Sequence, residues 1–210
     1  MGYKIDEIEK VEAVKISGFK TDVQVQIKIY LKEALASENL SIKLVSNPQG
    51  FNQIDKRWVK AYAEMWNMPE DITRLLKLFT GEISPTGTKG KDSRRTLLTE
   101  MNETDQKKIL EFFTNNKILI VSDILKGREK FPANWMLVAL ILKDESRWVL
   151  KPMNKAMSIF AEGTVRITDK GSLKIGNITV QRKGGDNGRE TAKMLQFKIN
   201  PVMLFDIVEK

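Results

Sequence analysis

Alternating apolar and polar residues predict several β-strands in the first fifty positions. Residues 11–18 form one apolar-rich run, and residues 22–30 alternate strictly between two faces. The polar face of that second run carries Asp22, Gln24, Gln26 and Lys28. A third run, 39–47, places Ser41 and Lys43 together on its polar side. The pattern predicts three consecutive strands, two of them with a distinctly polar face.

Helical spacing replaces this alternation in the middle of the chain. Apolar residues recur at helical intervals across 52–66, and Pro69, followed by two acidic residues, is typical of the start of a second helix. Residues 81–95 are rich in glycine, proline and lysine and predict a loop, within which 84–93 is expected to be poorly ordered. A further helix is predicted near 103–116.

Short strands dominate the last third of the sequence. The polar turn 143–146 separates two apolar runs and predicts a hairpin, after which a short helix is expected near 152–160. Three further short runs follow, separated by turns that contain glycine: 164–168, 172–176 and 178–183. Helices bracketed by strands favour an α/β or α+β class. Because no linker or repeat interrupts the chain, residues 1–210 are expected to form a single domain.

An excess of positive charge indicates an anionic partner. The 210 residues include 35 lysines and arginines against 27 aspartates and glutamates, which gives a formal net charge of +8. This excess favours nucleic acid as the partner, although a basic protein without that function would look the same.

The absence of cysteine and histidine excludes several kinds of chemistry. With no cysteine and no histidine, the chain cannot build a Cys/His zinc site, a Ser-His-Asp triad or a disulfide. Any catalytic metal would have oxygen ligands and would be a hard ion such as Mg²⁺. No apolar run is long enough to span a membrane, and the polar N-terminus lacks a signal-peptide core. We therefore expect an intracellular protein without a membrane partner.

A basic, glycine-rich stretch occupies residues 181–201. It contains Arg182, Lys183 and Arg189 around a loop of three glycines, and it fits neither the Walker A pattern nor the Rossmann fingerprint. One interpretation is a hairpin turn on a basic surface. The other is a loop that contacts phosphates or base edges, since arginine can bind guanine through two hydrogen bonds.

One weak pattern is compatible with nuclease chemistry. Asp22 opens the polar face of its strand, and Lys43 lies on the polar face of the next strand with Ser41 two residues ahead of it. If those strands pair, the arrangement resembles the Asp…Glu-x-Lys pattern of many nucleases, with serine at the glutamate position. Gln26 and Lys28 form a rival match on the preceding strand.

Phe51 follows a Pro-Gln-Gly run and is expected at the tip of a turn. A phenyl ring in this position is either a hydrophobic staple for the helix predicted at 52–66 or an exposed wedge. The first turns of that helix would carry Asn52, Gln53 and Lys56.

Four segments taken together resemble a known family: 44–58, 81–85, 122–128 and 180–201. They resemble the HinP-type Type II restriction endonucleases, which cut GCGC in double-stranded DNA and are relatives of the Msp-type enzymes in the PD-D/E-x-K nuclease superfamily. The resemblance runs through nearly the whole chain. It implies an α/β fold with a mixed β-sheet flanked by helices, and a bacterial cytoplasmic enzyme. It also implies Mg²⁺-dependent hydrolysis that leaves a 5′-phosphate and a 3′-hydroxyl.

The resemblance also assigns roles to individual residues. Asp22 matches the family's metal-binding aspartate and Lys43 its catalytic lysine. Phe51 matches a phenylalanine that is pushed into the base stack from the minor groove. The residues that lie in blocks approaching DNA are Asn52, Gln53, Lys56, Arg182, Lys183 and Arg189. For the stretch 181–201, the resemblance therefore favours a loop that reads DNA.

The sequence departs from the family in two places. Ser41 stands where the family has glutamine, and a hydroxyl reaches a metal or its water less easily than an amide does. The family also has a helical segment ahead of the point where this chain starts, so the chain is expected to lack the family's N-terminal helix.

These departures leave three hypotheses about function. The first is an active GCGC endonuclease, and the second is a weakened or inactive GCGC-binding protein on the same fold. The third is a general module that binds nucleic acid through its positive charge. A palindromic site is compatible with a homodimer, although relatives of this size can act on one strand at a time.

Overall fold

The computed structural model describes residues 2–16, 24–31, 35–86, 90–128, 130–185 and 188–205. Within these residues the chain is a mixed α/β protein with ten strands and five α-helices. The strands are β1 (Ile8–Ile16), β2 (Gln24–Leu31), β3 (Leu35–Val45), β4 (Asn52–Arg57), β5 (Trp135–Ile141), β6 (Ser146–Pro152), β7 (Val165–Ile167), β8 (Leu173–Ile175), β9 (Ile178–Arg182) and β10 (Leu195–Ile199). The helices are α1 (Val59–Trp66), α2 (Glu70–Thr80), α3 (Glu103–Asn115), α4 (Lys117–Leu125) and α5 (Met153–Ala161). Across the described ranges, no helix combines the length and the apolar character that crossing a membrane requires.

The chain divides into two compact units, each containing one five-stranded sheet. Unit 1 comprises Met1–Asn52, Leu125–Ile159 and Asn200–Lys210. Unit 2 comprises Gln53–Ile124 and Phe160–Ile199.

The sheet of unit 1 has the strand order β1-β2-β3-β5-β6. β3 and β5 run parallel, whereas the other neighbouring pairs are antiparallel, so the sheet is mixed as predicted. The predicted hairpin is also present, because β5 and β6 pair across a short polar turn in which the Leu142 N–H donates to the Glu145 carbonyl oxygen at 2.8 Å.

The sheet of unit 2 has the strand order β4-β10-β9-β8-β7. β7 to β10 pair antiparallel in sequence, and β7, β8 and β9 match the three short runs expected from the sequence. Gly176 makes the tight turn between β8 and β9 with a φ of +55°, and a β-carbon there would collide with the carbonyl oxygens of Ala161 and Glu162. The turn therefore requires glycine.

Aromatic rings form the core of unit 2. Tyr62 and Trp66 of α1 stack with ring centroids 4.8 Å apart, and Phe197 of β10 packs edge-on against both at 5.1 and 5.8 Å. The Trp66 indole N–H donates to Asp123 Oδ2 of α4 at 2.8 Å, which satisfies a buried carboxylate. These contacts fix α1 against the sheet.

The helix predicted over 52–66 is wrong in its first half. Residues 52–57 form β4 beside β10, and α1 begins only at Val59 with Trp58 as its N-cap residue. The spacing of apolar residues does not distinguish a helix from a strand over 52–57, because Ile54 fits a helical face and a buried strand position equally well. Pairing with β10 decides between them, as tertiary contacts commonly override local preference.

Candidate functional site

The polar face of β3 is buried in unit 1. Ser41 is 1% exposed and Lys43 is 4% exposed, whereas Leu44 on the opposite face is 66% exposed. The two polar residues share a face, as the alternation predicts. At this end of the strand the fold buries that polar face and leaves Leu44 of the apolar face exposed. Lysine and serine side chains are uncommon at almost fully buried positions. Their burial together on one face marks Ser41 and Lys43 as candidate site residues.

The pairing that the nuclease pattern requires is present. β2 and β3 are antiparallel neighbours, with Gln24 opposite Ser41 and Gln26 opposite Asn39. Gln26 Nε2 donates a 3.3 Å hydrogen bond to Asn39 Oδ1, so the side chain in the rival Gln-x-Lys match contacts a neighbouring amide. Asp22, the aspartate of the predicted site, lies outside the described residues.

Ser41 presents an unusual hydroxyl. Its Oγ is buried and has no hydrogen-bond partner within the described part of the chain, although nearly all buried polar atoms in proteins have one. No group of three or more acidic side chains able to hold a metal occurs among the described residues. The Ser41 oxygen is available to a metal ion or to its water.

Side-chain amides fix the turn between β3 and β4. Asn52 Nδ2 donates to the Leu44 carbonyl oxygen at 3.0 Å, and Asn200 Nδ2 donates to the Pro48 carbonyl oxygen at 3.0 Å. Both bonds hold the backbone of the turn from outside. The segment that carries Phe51 is thus anchored at two points.

Phe51 leaves this turn with 48% of its surface exposed. The hydrophobic-staple interpretation is wrong, because α1 begins at Val59 and a staple residue directly precedes the N-cap. Gly50 must be glycine unless the turn shifts, since a β-carbon there would lie 2.9 Å from the Asn47 carbonyl oxygen. An exposed ring on an anchored turn has the geometry that a wedge requires, and the wedge role stays a prediction.

Gln53 and Lys56, predicted on a helix, lie instead on β4. Gln53 Oε1 accepts a 2.8 Å hydrogen bond from Gln196 Nε2 of β10, which joins the side chains of two neighbouring strands. Lys56 is exposed to solvent. A contact between either residue and DNA stays a prediction.

The described part of the glycine loop that follows β9 has an unusual backbone conformation. Its described glycines all have positive φ, in the left-handed region that glycine favours: Gly184, Gly185 and Gly188. Arg182 lies at the base of this loop, where its Nε donates to the Ala192 carbonyl oxygen at 3.1 Å. Burial, together with the nearby cations of Arg94 and Arg95, lowers the pKa of the Arg182 guanidinium below its usual range.

A cavity of about 310 Å³ opens beside the glycine loop, entirely within unit 2. Five basic side chains line it: Arg94, Arg95, Arg182, Arg189 and Lys193. The lining also includes Asp92, which accepts hydrogen bonds from both Arg94 and Arg95. The structure thus brings the predicted residues Arg182 and Arg189 together.

A sequence profile of the R.HinP1I restriction endonuclease family matches residues 1–205. The chain belongs to that family. The fold is also similar to that of the MspI restriction endonuclease in complex with its cognate DNA, with a TM-score of 0.64 and 14% sequence identity. That similarity covers 93% of this chain and 72% of the MspI chain, and it confirms the predicted fold class. A comparison with curated protein sequences gave no match.

The sequence analysis did not identify Arg94 and Arg95, two basic residues that precede the 3-10 turn at residue 98. They lie, together with Asp92, in a segment whose sequence is typical of a polar loop. The described part of that segment is held by Glu100, whose carboxylate accepts from the backbone N–H groups of residues 91 and 97 at 2.7 and 2.8 Å. The available signal was the Asp-Ser-Arg-Arg run itself, an acid next to two adjacent arginines.

Proposed function

We propose that this chain is a Type II restriction endonuclease that hydrolyses double-stranded DNA at GCGC. Membership of the R.HinP1I family supports a DNA-cleaving enzyme, and GCGC is the site that the resemblance in sequence implies. The observation that carries the proposal is the burial of Ser41 and Lys43 on one face of β3, next to β2. Lysine and serine are uncommon at almost fully buried positions, which supports a chemical role for this face of β3.

Mg²⁺ is the proposed cofactor, and the available donors fit it. Asp22 would supply a carboxylate and Ser41 a hydroxyl, which are the hard oxygen ligands that this ion prefers. The buried Ser41 Oγ supports the fit, because it has no hydrogen-bond partner within the described ranges. When bound, the ion would offset negative charge on the phosphate and lower the pKa of a coordinated water.

Lys43 would supply positive charge beside the scissile phosphate. Its ammonium group is compact and has three donors, so it can hold an attacking water together with a phosphate oxygen. The water oxygen forms a bond to phosphorus and loses a proton to solvent, while the bond to the 3′-oxygen breaks and that oxygen takes up a proton from solvent, which leaves a 5′-phosphate and a 3′-hydroxyl. Because Lys43 is only 4% exposed, solvent screens this charge less than it would at the surface.

Contacts with DNA are proposed for residues of both units. Phe51 would enter the base stack from the minor groove, where its exposed ring replaces the stacking of one base step. The polar and basic residues proposed to contact phosphates or bases are Asn52, Gln53, Lys56, Arg182, Lys183 and Arg189. Asn52 and Gln53 each use one side-chain atom within the fold, so DNA would be contacted by the other.

A second candidate is a protein that binds GCGC without cutting it efficiently. Ser41 favours this alternative, because one short hydroxyl stands where the family resemblance expects a glutamine side chain. A homodimer on the palindromic site is compatible with either candidate.

A cleavage assay separates the two candidates. Duplexes that contain GCGC or the altered site ACGC are incubated with the protein and Mg²⁺, and the ends are mapped by sequencing and by ligation. We expect cutting of GCGC alone, with 5′-phosphate ends. Selective retardation of the GCGC duplex without cutting would support the second candidate, and equal binding of both duplexes would reject GCGC recognition.

A further inference from the structure

Asp92 holds two arginines at the edge of the cavity in unit 2. Arg94 donates to its carboxylate from Nε at 2.9 Å, from Nη2 at 3.2 Å and from the backbone N–H at 3.1 Å. Arg95 donates from Nε at 3.1 Å to Asp92 Oδ2, the oxygen that also accepts from Arg94 Nη2. The Arg94 side chain, with the smaller contribution of Arg95, holds the pKa of Asp92 well below its usual range. Asp92 is therefore ionised at neutral pH.

Three guanidinium groups beside this cavity, those of Arg94, Arg95 and Arg182, are oriented by hydrogen bonds within unit 2. Arg95 is only 24% exposed in its side chain and lies over the Phe79 ring, 5.9 Å from the centroid. Arg182 is fixed by its bond to the Ala192 carbonyl oxygen. Each of the three arginines uses Nε within unit 2, and Arg94 also uses Nη2. Because a guanidinium has five N–H groups, terminal N–H groups of all three remain for a ligand.

Positive charge exceeds negative charge among the groups that line the cavity. Its lining has five cations, and Asp92 offsets one of them. Lys193 forms an ion pair with the exposed Glu190 at 2.9 Å, which offsets a second. Burial and then the nearby cations of Arg94 and Arg95 lower the pKa of Arg182, so these like charges raise the free energy of the unliganded protein. An anion would relieve that repulsion.

The uncharged residues that line the cavity favour some kinds of anion over others. It consists of small residues: Gly184, Gly185, Gly188 and Ala192. A β-carbon built on any of the three glycines would have open space around it, so a ligand can approach the backbone closely. The lining residues within the described ranges include no aromatic ring on which an extruded base could stack, which favours a phosphate over a flipped base.

We propose that this cavity binds one phosphate of the DNA backbone. Arg94, Arg95 and Arg182 are its donors, and Asp92 is a positioning residue that orients the first two. The proposal rests on the proposed function only in taking DNA as the partner, because a phosphate contact requires neither GCGC nor cleavage.

Arg94→Gln tests the phosphate contact with little risk to folding, because the Arg94 side chain is 73% exposed. We expect about tenfold weaker binding to GCGC and ACGC duplexes alike, in line with the loss of one charged hydrogen bond. The slope of log K against log salt concentration should fall by about 0.9. Lys107→Gln is the matched control, since it removes one charge from an exposed side chain on α3 that does not line the cavity, and it should bind like the parent chain.

Asp92→Asn tests the positioning role. This change makes the cavity more positive, so a purely electrostatic effect would tighten binding to every duplex. If Asp92 orients Arg94 and Arg95, the change should instead weaken binding to both duplexes by roughly threefold to tenfold. Thermal melting of each variant accompanies the titrations, and Arg94→Gln decides the question of phosphate binding if Asp92→Asn unfolds.

The outcomes separate this proposal from the proposed function. If the parent chain prefers GCGC but Arg94→Gln behaves like Lys107→Gln, the phosphate site is wrong and the function stands. If the parent chain shows no preference and Arg94→Gln still reduces the salt slope, the phosphate site stands and GCGC recognition is wrong. A loss of affinity confined to the GCGC duplex, with an unchanged slope, would make Arg94 a base-reading residue and overturn the proposal.

Discussion

Asn52 donates its side-chain amide to the Leu44 carbonyl oxygen at 3.0 Å and so closes the turn that carries Phe51. The bond joins the end of β3 to the start of β4. Phe51 itself is 48% exposed. Unstacking a base step costs a few kcal/mol, so an inserted ring is effective only if its support is rigid. The contribution of the Phe51 ring to DNA binding and that of the Asn52 hydrogen bond can be measured separately by mutation.

We expect Phe51→Ala to weaken binding to the GCGC duplex and to leave the melting temperature nearly unchanged. The reason is that the ring is half exposed and contributes little core packing. Phe113→Ala is the matched control, because that ring is 0% exposed and its removal should lower the free energy of unfolding by about 3–5 kcal/mol. Gel-shift titration and thermal melting provide the two measurements. A large fall in melting temperature for Phe51→Ala with intact affinity would show that the ring is structural.

Asn52→Ala tests whether the turn acts through Phe51. We expect a loss of about 1 kcal/mol in the free energy of unfolding, for one hydrogen bond, together with weaker DNA binding. If Asn52 only positions the ring, its effect on binding should shrink in the Phe51→Ala background. A double-mutant cycle of gel-shift affinities measures this coupling. Additive effects would instead support a direct contact between Asn52 and DNA.

The sequence predicts strand existence well and helix boundaries less well. The alternation over 22–30 and 39–47 correctly predicts β2 and β3, because a strand with one polar face has a period that no other element shares. The first half of the helix over 52–66 is wrong, because the hydrogen bonds that make β4 a strand come from β10, far away in the sequence.

Two residues of the candidate site are predicted from the alternation of polar and apolar positions. The alternation places Ser41 and Lys43 on one polar face of a strand, but it does not indicate whether that face is exposed or buried. Only the tertiary fold shows that this face is buried. The cavity around Asp92 was not predictable, because its walls come from two loops and their approach depends on the packing of unit 2.

Glu82 should make the stability of unit 2 depend on pH. Its carboxylate accepts from the Val59 N–H at 3.0 Å and from Thr80 Oγ1 at 3.3 Å, while burial raises its pKa above the usual range. A raised folded pKa means that the folded state holds the proton more tightly. Stability therefore falls as the pH rises from about 4.3, the ordinary value, through the raised pKa.

We expect Glu82→Gln to remove this pH dependence, because the amide oxygen can accept the same two bonds without a charge. The advantage of Glu82→Gln over the parent chain should grow as the pH rises from 4 to 7, as measured by urea unfolding. Glu64→Gln is the control, since it makes the same change on the exposed side of α1. Parallel stability curves for the parent chain and Glu82→Gln would contradict the prediction.

Lys43→Met should abolish cleavage and retain binding to GCGC. Methionine fills a similar volume on the buried face of β3 but carries no charge to hold water or phosphate. Asp22→Ala should give the same result through loss of a metal ligand. Lys28→Met is the control, because Lys28 belongs to the rival match on β2 and should leave the cleavage rate near that of the parent chain. Loss of cleavage in Lys28→Met with activity in Lys43→Met would move the site to β2.

Ser41 provides the sharpest test of the metal site, because its hydroxyl can be removed without breaking a hydrogen bond among the described residues. Ser41→Ala should leave the free energy of unfolding unchanged or slightly higher, since a buried polar atom without a partner disappears. If that oxygen holds Mg²⁺ or its water, the cleavage rate should fall by about 10- to 100-fold.

Ser41→Gln makes the opposite change. A glutamine restores the longer oxygen donor that the family resemblance expects, so cleavage should become faster at limiting Mg²⁺ and should change little at saturating Mg²⁺. Because Ser41 is 1% exposed, thermal melting of this variant must accompany the assay to detect overpacking. The measurement is the initial rate on a GCGC duplex across a Mg²⁺ titration. Equal rates for the parent chain, Ser41→Ala and a folded Ser41→Gln throughout that titration would remove Ser41 from the metal site, and Gln26 would be the next residue to test.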